Sequence, residues 1–377
     1  MKIVINALAA ERGGSTTNYE GLLPALAKAD PDSDYVLLRA PWQDYLPRAP
    51  GRNFRWVVCP IPRRSLASRA WFEQTRLVGV LRRERADVLY SPSEVTTFAA
   101  PCPVVLMLQN LSPYAMRWRL GFAYWRRNVL LGEMARLSAW KAERIIFVSE
   151  TSRRIIAGKL LLPWKKTVVI HHGIDPSFSR PRKDRPRPPA SFLNRPYFLS
   201  VSQIRVAKNY PRLVQAFASL CKLAGFDYDL VIIGKVDEAK AGRDLARIIE
   251  REGIRDRVHL PGAVPHEELP AWYAAATVFV FPSLLESFGH PLVEAMASGV
   301  PVVASSAPAI PEVVEDAALL FDPRSPLSIA DAISRVLTDR RLAEELSARG
   351  RVRASRFSWE RAATETARVL REAARSA

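Results

Sequence analysis

The chain has 377 residues, a length that suits two domains of roughly 100–200 residues rather than one. With 48% hydrophobic and 25% charged residues, its composition is that of a globular protein and excludes a disordered or fibrous chain. The formal net charge of +17 is uneven, because residues 1–190 carry 31 − 15 = +16 and residues 191–377 carry 24 − 23 = +1. This favours an anionic partner for the first half, although an arginine-rich composition with solvated charges would give the same count.

The first half of the chain alternates short apolar strands with helices. The predicted strands are Lys2–Ala7, Tyr35–Arg39, Trp56–Cys59, Val88–Tyr90, Val104–Leu108, Arg144–Val148 and Thr167–His171. A glycine-bearing loop, Ala9–Thr17, follows the first strand, and an amphipathic helix is predicted over Asn18–Ala29. Such alternation predicts a parallel sheet covered by helices on both faces.

An irregular segment rich in Pro, Arg and Ser, Asp175–Arg195, interrupts this pattern and is predicted to be a linker. The alternation then restarts with predicted strands at Tyr197–Val201, Asp229–Ile233, Val258–Leu260, Val278–Phe281 and Val302–Ala304. The sequence therefore predicts an α/β fold with a first domain over residues 1–175, a linker over 176–195 and a second domain over 196–357. A helix over residues 358–377 follows, with Ser358 as its N-cap.

Several classes of protein are disfavoured by what the sequence lacks. No run of about 18 apolar residues occurs, so no transmembrane helix is predicted. The segment Met1–Asn6 reads as a buried strand rather than as a signal peptide. Cys59, Cys102 and Cys221 are odd in number and far apart, which fits a reducing cytosol and predicts neither a disulfide framework nor a metal site. We therefore expect a cytoplasmic protein.

The most informative stretch is Pro282–Ala297, which reads PSLLESFGHPLVEAMA. It joins the end of an apolar strand to a helix that begins near Pro291, and ligands of α/β sheets bind beside such strand ends. A helix N-terminus also favours a diphosphate. Glu286 in the loop and Glu294 in the helix can both accept hydrogen bonds from sugar hydroxyls. The alternative is two unrelated solvated glutamates at a helix start, where acidic residues are stabilising.

This stretch resembles the Glu-x₇-Glu motif of the large group of retaining glycosyltransferases called group 1, or family four. The segments Leu260–Leu269, Gly299–Ser305 and Pro311-Glu312 are also similar to that family, and the resemblance is strongest over residues 197–323. It implies two facing Rossmann-like domains, the GT-B fold, with a deep interdomain cleft and the nucleotide sugar mainly on the second domain. It also implies that the helix over 358–377 crosses back to the first domain.

The resemblance assigns roles within the donor site. Glu294 would hold the donor ribose, and Glu286 would contact the transferring sugar as a catalytic residue. The other donor-binding positions that it implies are Val264, Ser287, Phe288, Gly289, His290 and Leu292. Of these, Val264 would lie beside the base.

Cations are expected near the departing nucleoside diphosphate, because its negative charge grows in the transition state. Family members place an Arg and a Lys after the first strand of the second domain. Lys208 matches that pattern, and Arg205 is assigned beside it, although Ala207 stands where common variants have the arginine. Each could instead be a solvated loop charge. No spacing of His, Asp or Glu indicates a metal centre, so we expect no metal and no cofactor besides the nucleotide sugar substrate.

The first domain supplies further candidates. The pair Gly13-Gly14 lets the backbone approach a phosphate, and the family has a similar pair facing the donor diphosphate, although an ordinary turn has the same spacing. Gln109 and Asn110 replace a His-Asp pair of many relatives, so they can hydrogen-bond a sugar or acceptor but cannot act as a base. The pair His172-Gly173 could contact substrate or form a structural hinge.

Together with the resemblance, these features predict a metal-independent hexosyltransferase that uses a nucleotide sugar donor. The resemblance implies that the transfer retains configuration, and it makes mannose from GDP-mannose the first expectation. The acceptor would be a glycan or a lipid-linked precursor in polysaccharide or glycolipid biosynthesis. Two alternatives are a nucleotide-sugar epimerase of similar fold and a nucleic-acid-binding protein. The latter leaves the Glu286–Glu294 stretch unexplained, so nucleic acid is not the expected partner.

The segment Arg117–Leu131 interleaves arginines with aromatic residues. This pattern favours an anionic membrane surface as a partner, on the inner face of the membrane. A helix that packs its aromatic side chains on its own domain would show the same pattern.

Overall fold

The structure is a computed structural model that describes residues 1–10, 14–61, 65–115, 122–180 and 195–376. The chain forms two compact units: Met1–Gly173 together with Ser358–Ala377, and Ile174–Phe357. Each unit contains a parallel β-sheet with helices, so the predicted α/β architecture with two parallel-sheet domains is confirmed.

The sheet of the first unit has seven parallel strands in the order β3-β2-β1-β4-β5-β6-β7. They are β1 Lys2–Asn6, β2 Asp34–Arg39, β3 Phe54–Val58, β4 Val88–Ser91, β5 Val104–Leu108, β6 Arg144–Phe147 and β7 Thr167–Val169. Strands β4 and β5 are buried along their whole length, as expected for parallel strands covered on both faces. The strand order reverses between β1 and β4, and ligands of doubly wound sheets bind at such a point.

Among the residues that the structure describes before residue 174, six α-helices belong to the first unit. They are α1 Gly14–Ala29, α2 Leu66–Thr75, α3 Leu77–Glu84, α4 Ser112–Ala115, α5 Phe122–Lys141 and α6 Glu150–Leu160. Helix α1 begins four residues before the predicted Asn18. The sequence did not indicate this first turn because it consists of Gly, Ser and Thr residues, which are weak helix formers. In the described ranges no helix is long and apolar enough to cross a membrane.

The sheet of the second unit has six parallel strands in the order β10-β9-β8-β11-β12-β13. They are β8 Tyr197–Val201, β9 Asp229–Ile233, β10 Val258–Gly262, β11 Val278–Phe281, β12 Val302–Ser305 and β13 Ala318–Phe321. The sequence did not indicate β13. This strand lies at the sheet edge and has only four residues, and an apolar run as short as Ala318–Phe321 does not by itself distinguish a strand from a helix.

The described part of the second unit contains seven α-helices. They are α7 Tyr210–Cys221, α8 Ala239–Arg251, α9 Leu269–Ala275, α10 His290–Ser298, α11 Ile310–Val314, α12 Pro326–Thr338 and α13 Arg340–Ala354. One hydrophobic core cluster joins α7, α8 and α12 to the sheet, with Phe198 of β8 packed against Phe217 and Tyr228. This core fixes the sheet whose carboxyl-end loops carry the predicted donor residues.

The last helix, α14 Trp359–Arg375, belongs to the first unit and packs against α1. Ser358 caps it by accepting a hydrogen bond from the backbone N–H of Arg361 at 3.2 Å. A Cβ on Gly21 of α1 would collide with the Trp359 indole, so the glycine permits the close approach of the two helices.

The predicted linker falls mostly outside the described residues, which resume at Arg195.

Candidate active site

Two predicted catalytic side chains meet at the carboxyl edge of the second sheet. Lys208 ends a 3₁₀ turn after β8, and Glu286 lies in the loop after β11. Since β8 and β11 are neighbours in the sheet, the loops that follow them lie side by side. The Lys208 Nζ donates to Glu286 Oε1 at 2.5 Å, and it also lies 5.6 Å from the ring centroid of Phe281. Both side chains are largely buried, so water screens this ion pair less than it would a surface pair.

Asn209 holds these two loops together, a role that the sequence analysis missed. Its side-chain amide donates to the carbonyl oxygen of Pro282 at 3.0 Å and to that of Pro323 at 2.7 Å. Its backbone is left-handed, with φ 60°, a conformation that Asn tolerates better than most residues. The backbone N–H of Leu284 also donates to the carbonyl of Ala207 at 2.8 Å. The ion pair therefore forms between loops that are already fastened together.

Arg205 lies in the same loop, but its side chain has a different described partner. It forms an ion pair with Asp237 at 2.5 Å, and both side chains are partly exposed. The structure thus brings Lys208, and not Arg205, into contact with Glu286. The catalytic role of Arg205 stays a prediction.

The second predicted carboxylate, Glu294, is buried in α10 and is 5% exposed. Tyr273 of α9 donates a hydrogen bond to Glu294 Oε2 at 2.8 Å. Burial raises the pKa of the Glu294 carboxyl, while the Tyr273 hydrogen bond and nearby His266 oppose that rise. Tyr273 was not foreseen, because nothing in the sequence around α9 links it to a residue 21 positions later.

The start of α10 is shaped by Gly289, which caps the helix with φ 94°. A Cβ there would be strained and would lie 3.0 Å from Leu292 Cδ1. His290 is the first residue of the helix, and burial, with a smaller contribution from His266, lowers its pKa to about 4. The imidazole is therefore neutral near pH 7. The Phe288 ring packs against those of His290 and Phe357, at centroid distances of 5.4 Å each.

The remaining predicted donor positions differ in accessibility. Leu292 is fully buried in the core, so only its backbone is a candidate for contact with a ligand. Ser287 and Val264 are half-buried. Val264 follows Gly262, whose carbonyl accepts from the Gly234 N–H at 2.8 Å.

Gly234, directly after β9, was also missed by the sequence analysis. A Cβ at this position would collide with the carbonyl oxygen of Ser202, so the loops after β8 and β9 approach more closely than any other residue allows. A glycine immediately after a predicted buried strand was the available signal. The hydrogen bond from the Gly234 N–H to the Gly262 carbonyl brings the end of β10 to the same edge of the sheet.

In the first unit, Gln109 and Asn110 follow β5. The Gln109 amide lies 3.5 Å from the carbonyl oxygen of Pro92, and the backbone N–H of Asn110 donates to Glu94 Oε1 at 3.0 Å. The side-chain oxygen of Asn110 accepts from the backbone N–H of Ser112 at 3.0 Å. Asn110 therefore has a local role at the start of α4, and its contact with a sugar or acceptor stays a prediction.

A buried polar network at the switch point of the first sheet was not predicted. Asn6, at the end of β1, donates to Glu73 Oε1 at 2.9 Å and lies 3.4 Å from the Ser91 hydroxyl at the end of β4. All three side chains are fully buried, and burial raises the pKa of Glu73. The network fastens α2 to the two strand ends, with Arg69 at 3.9 Å from Glu73.

The other predicted residues of the first unit have structural surroundings or lie outside the description. Gly13 is not among the described residues, and Gly14 is the first residue of α1. His172 is buried with its ring 5.8 Å from that of Trp359, and a Cβ on Gly173 would collide with the Trp359 backbone. Contact of His172 and Gly173 with substrate stays a prediction.

Over the residues that the structure describes, no three His, Cys, Asp or Glu side chains gather in a way that could hold a metal ion. The three cysteines are free, and burial raises the pKa of Cys59 to about 12 and that of Cys102 to about 11. These thiols are protonated and unreactive near pH 7.

Two family models match the chain in succession. Residues 12–178 match the model described as Glycosyltransferase Family 4, and residues 181–353 match Glycosyl transferases group 1. Together the matches span both units.

Curated relatives are similar over parts of the chain. The O-antigen chain mannosyltransferase B of Escherichia coli is 38% identical over 172 residues, which are 45% of this chain and 44% of the relative. An MMP alpha-(1->4)-mannosyltransferase of Mycolicibacterium hassiacum is 31% identical over 268 residues, 69% of this chain and 61% of that protein. These matches span less than two thirds of the relatives' own lengths.

Solved structures are similar over the whole chain. The sucrose-phosphate synthase of Thermosynechococcus elongatus has a TM-score of 0.81 at 21% identity, with both chains covered completely. HepE of Anabaena, solved in complex with UDP and glucose, has a TM-score of 0.75 at 20% identity over 98% of this chain and 99% of its own. At these identities the likeness establishes the fold, which is that of GT-B glycosyltransferases.

Proposed function

We propose that this chain, which belongs to the group 1 glycosyltransferases of family four, transfers a hexose from a nucleotide diphosphate sugar to a glycan or lipid-linked acceptor. The observation that carries the proposal is the contact between Lys208 and Glu286, which brings a cation and a carboxylate together at a sheet edge suited to ligands. Buried Glu294 stands eight residues further along the same stretch.

We propose mannose as the transferred sugar and GDP as its carrier. Support comes from the two mannosyltransferases among the similar proteins. A solved relative in fold binds UDP and glucose instead, so UDP-glucose is the necessary comparison in any assay. The Glu294 carboxylate would accept hydrogen bonds from ribose hydroxyls, a contact that does not depend on the base.

We expect the Lys208–Glu286 ion pair to separate when the donor binds, so that each side chain exchanges its partner for a group of the donor. A diphosphate entering the site offers Lys208 more negative charge than one carboxylate does, so the ammonium would turn to the phosphates. Glu286 would then be free to accept hydrogen bonds from hydroxyls of the transferring sugar. Since charge on the leaving phosphate grows as the sugar bond breaks, Lys208 would stabilise the transition state more than the ground state.

We also propose that the transfer retains the anomeric configuration and needs no metal ion. Retention of configuration is inferred from membership of the family. In this reaction the leaving phosphate would accept the proton of the attacking hydroxyl. The charge role of a metal would fall to Lys208 and, once it leaves Asp237, to Arg205. We expect added EDTA to leave turnover unchanged, which a radiolabelled-sugar transfer assay measures. Loss of activity that Mg²⁺ or Mn²⁺ restores would refute metal independence.

For the acceptor we propose a glycan or lipid-linked precursor of polysaccharide or glycolipid synthesis, held by the first unit. The O-antigen chain mannosyltransferase among the relatives supports this class. Gln109 and Asn110 at the end of β5 are its candidate contacts. Amides of this kind can donate to and accept from sugar hydroxyls without removing a proton.

The proposal is tested by a thermal-shift screen of GDP, UDP and ADP, followed by transfer assays with the sugar form of whichever nucleotide binds. A nucleotide bound only by the native state raises the unfolding midpoint. We expect GDP to give the largest rise and GDP-mannose to be consumed only with acceptor present. Conversion of the donor sugar without acceptor would indicate an epimerase, and binding of none of the nucleotides would refute the donor site.

A further inference from the structure

The first unit carries an exposed apolar cluster that the proposed donor and acceptor sites do not use. In the described part of this unit, six large apolar side chains are exposed, and four of them fall in one region. Their exposed fractions are 46% for Leu137, 50% for Trp140, 78% for Leu161 and 50% for Trp164. We call these four residues the Trp140 patch. Single exposed apolar residues are ordinary, but two tryptophans and two leucines in one region are not.

Direct contacts join the two segments that form the patch. The Trp140 indole N–H donates to the carbonyl oxygen of Leu160 at 3.0 Å, which ties the end of α5 to the end of α6. The Lys166 ammonium, two residues after Trp164, donates to the carbonyl oxygen of Trp140 at 3.2 Å. Leu137 lies one turn before Trp140 on the same side of α5. The four side chains therefore belong to a single surface whose backbone is fixed.

Neither burial nor backbone conformation explains why residue 161 is a leucine. It follows α6 with φ 53°, the left-handed conformation in which helices usually place glycine, and its side chain is the most exposed in the patch. A branched side chain is strained in this conformation and gains no burial in return. Contact with a partner would account for an apolar side chain here.

The charges around the patch indicate the chemistry of that partner. Lys141, Arg154 and Lys165 are exposed beside it, and residues 132–167 carry 8 − 3 = +5. The Arg153 guanidinium lies 3.6 Å from the ring centroid of Trp164. Protein–protein interfaces are depleted in lysine. Indole rings flanked by Lys and Arg are instead typical of surfaces that lie at lipid headgroup depth.

We propose that the Trp140 patch docks the first unit on an anionic lipid membrane. The two indoles and two leucines enter the headgroup region, and the surrounding cations face lipid phosphates. The docking itself needs neither donor nor acceptor, so it does not depend on the proposed function. It is formed by residues outside Arg117–Leu131, a segment whose residues 117–121 lie outside the described residues.

The test is co-sedimentation of the full chain with vesicles of phosphatidylcholine alone, or mixed with phosphatidylglycerol, without nucleotide. We expect the wild type to bind the mixed vesicles at low salt and to be partly released at moderate salt. The double variant Trp140→Ser/Trp164→Ser should lower the partition coefficient by about tenfold or more. Exchanging Arg154 and Lys165 for Gln should lower it as well, and only in the mixed vesicles.

Two further variants separate docking from folding. Leu161→Gly should keep or raise the unfolding midpoint, because it relieves the left-handed backbone, while it lowers the partition coefficient. The control Trp71→Ser/Arg82→Gln/Arg83→Gln removes an exposed tryptophan and two exposed cations elsewhere in the unit, and it should bind vesicles like the wild type.

The proposal is overturned if the wild type does not bind phosphatidylglycerol vesicles, or if the control loses binding as much as the patch variants do. It is also overturned if the wild type forms a dimer in solution that the double tryptophan variant abolishes, since the patch would then contact a second copy. Transfer to a water-soluble acceptor should be unchanged in every patch variant. A failure of docking is therefore distinct from a failure of the transferase proposal.

Discussion

The two units of this protein have similar parallel sheets but place their predicted functional residues differently. In the second unit, Lys208 and Glu286 meet at 2.5 Å on a sheet edge built from several loops. In the first, Asn110 hydrogen-bonds to Ser112 near the start of α4, and His172 packs beside Trp359. The formal charge differs as well, at 30 − 16 = +14 for the first unit and 25 − 22 = +3 for the second. In our proposal the second unit binds the small anionic donor and the first unit binds the acceptor.

The largest effect is expected at the ion pair of the second unit. Lys208→Ala should lower kcat by about 100- to 1,000-fold, the scale seen when one group that stabilises transition-state charge is removed. Donor affinity should fall much less, because the phosphate charge is greatest in the transition state. Steady-state kinetics together with calorimetric titration of the nucleotide separates the two effects. A variant with normal kcat and a raised KM would contradict this role for Lys208.

Glu286→Gln is the matched control for that experiment. It removes the partner of Lys208 without removing the cation, so the affinity for the free nucleoside diphosphate should be unchanged or higher. Turnover should still fall, because Glu286 contacts the sugar in our proposal. If the nucleoside diphosphate bound more weakly to this variant than to the wild type, the exchange of partners would be wrong.

The second-largest effect is expected at Glu294. Replacing it by Ala should weaken nucleotide binding by about 1–3 kcal/mol, since it removes a charge-assisted hydrogen bond to the ribose and leaves Tyr273 without its acceptor. Isothermal titration calorimetry measures this directly. Tyr273→Phe is the comparison, because it removes only the supporting hydroxyl and should cost less. If Glu294→Ala bound the nucleotide as tightly as the wild type does, the assignment of Glu294 to the ribose would be wrong.

A third effect depends on pH and also lies in the second unit. The pKa of His290 is about 4 in the folded chain, below its ordinary value of about 6.5, so the unfolded chain binds a proton first as the pH falls. Stability from the neutral imidazole is full above pH 6.5 and is lost towards pH 4. Between pH 7 and pH 5 the loss should be about 2 kcal/mol. Urea unfolding of wild type and His290→Gln at both pH values measures it, and equal pH dependence in the two would contradict the buried, neutral histidine.

The sequence predicted more of the second unit than of the first for a physical reason. Glu286 and Glu294 lie in one short strand–loop–helix stretch, so local pattern and family resemblance both identify them. Asn6 and Glu73 are 67 residues apart, and their contact depends on how α2 packs against β1, which no local pattern shows. Asn209 and Tyr273 were missed for the same reason, because each supports a site residue from a distant part of the chain.

Strand prediction shows the same limit within the sheets. All seven strands of the first sheet were predicted. Complete burial was not required for this, because β7 has no buried residue and β3 has only one. The edge strand β13 was missed although Ala318–Phe321 is apolar throughout, because an apolar run of four residues does not by itself distinguish a strand from a buried helix segment.

The smallest effect is expected in the first unit and bears most directly on the contrast between the units. Gln109→Ala should raise the KM for the acceptor by about fivefold, corresponding to roughly 1 kcal/mol for one neutral hydrogen bond. Its described partner is only the carbonyl of Pro92, at 3.5 Å, so the substitution should change stability little. Nucleotide affinity and kcat at saturating acceptor should stay as in the wild type, because Gln109 belongs to the unit that holds the acceptor in our proposal. Kinetics with varied acceptor at saturating donor, beside a nucleotide titration, measures both. If Gln109→Ala weakened nucleotide binding and left the acceptor KM unchanged, donor recognition would extend into the first unit, and the division of roles between the two units would be wrong.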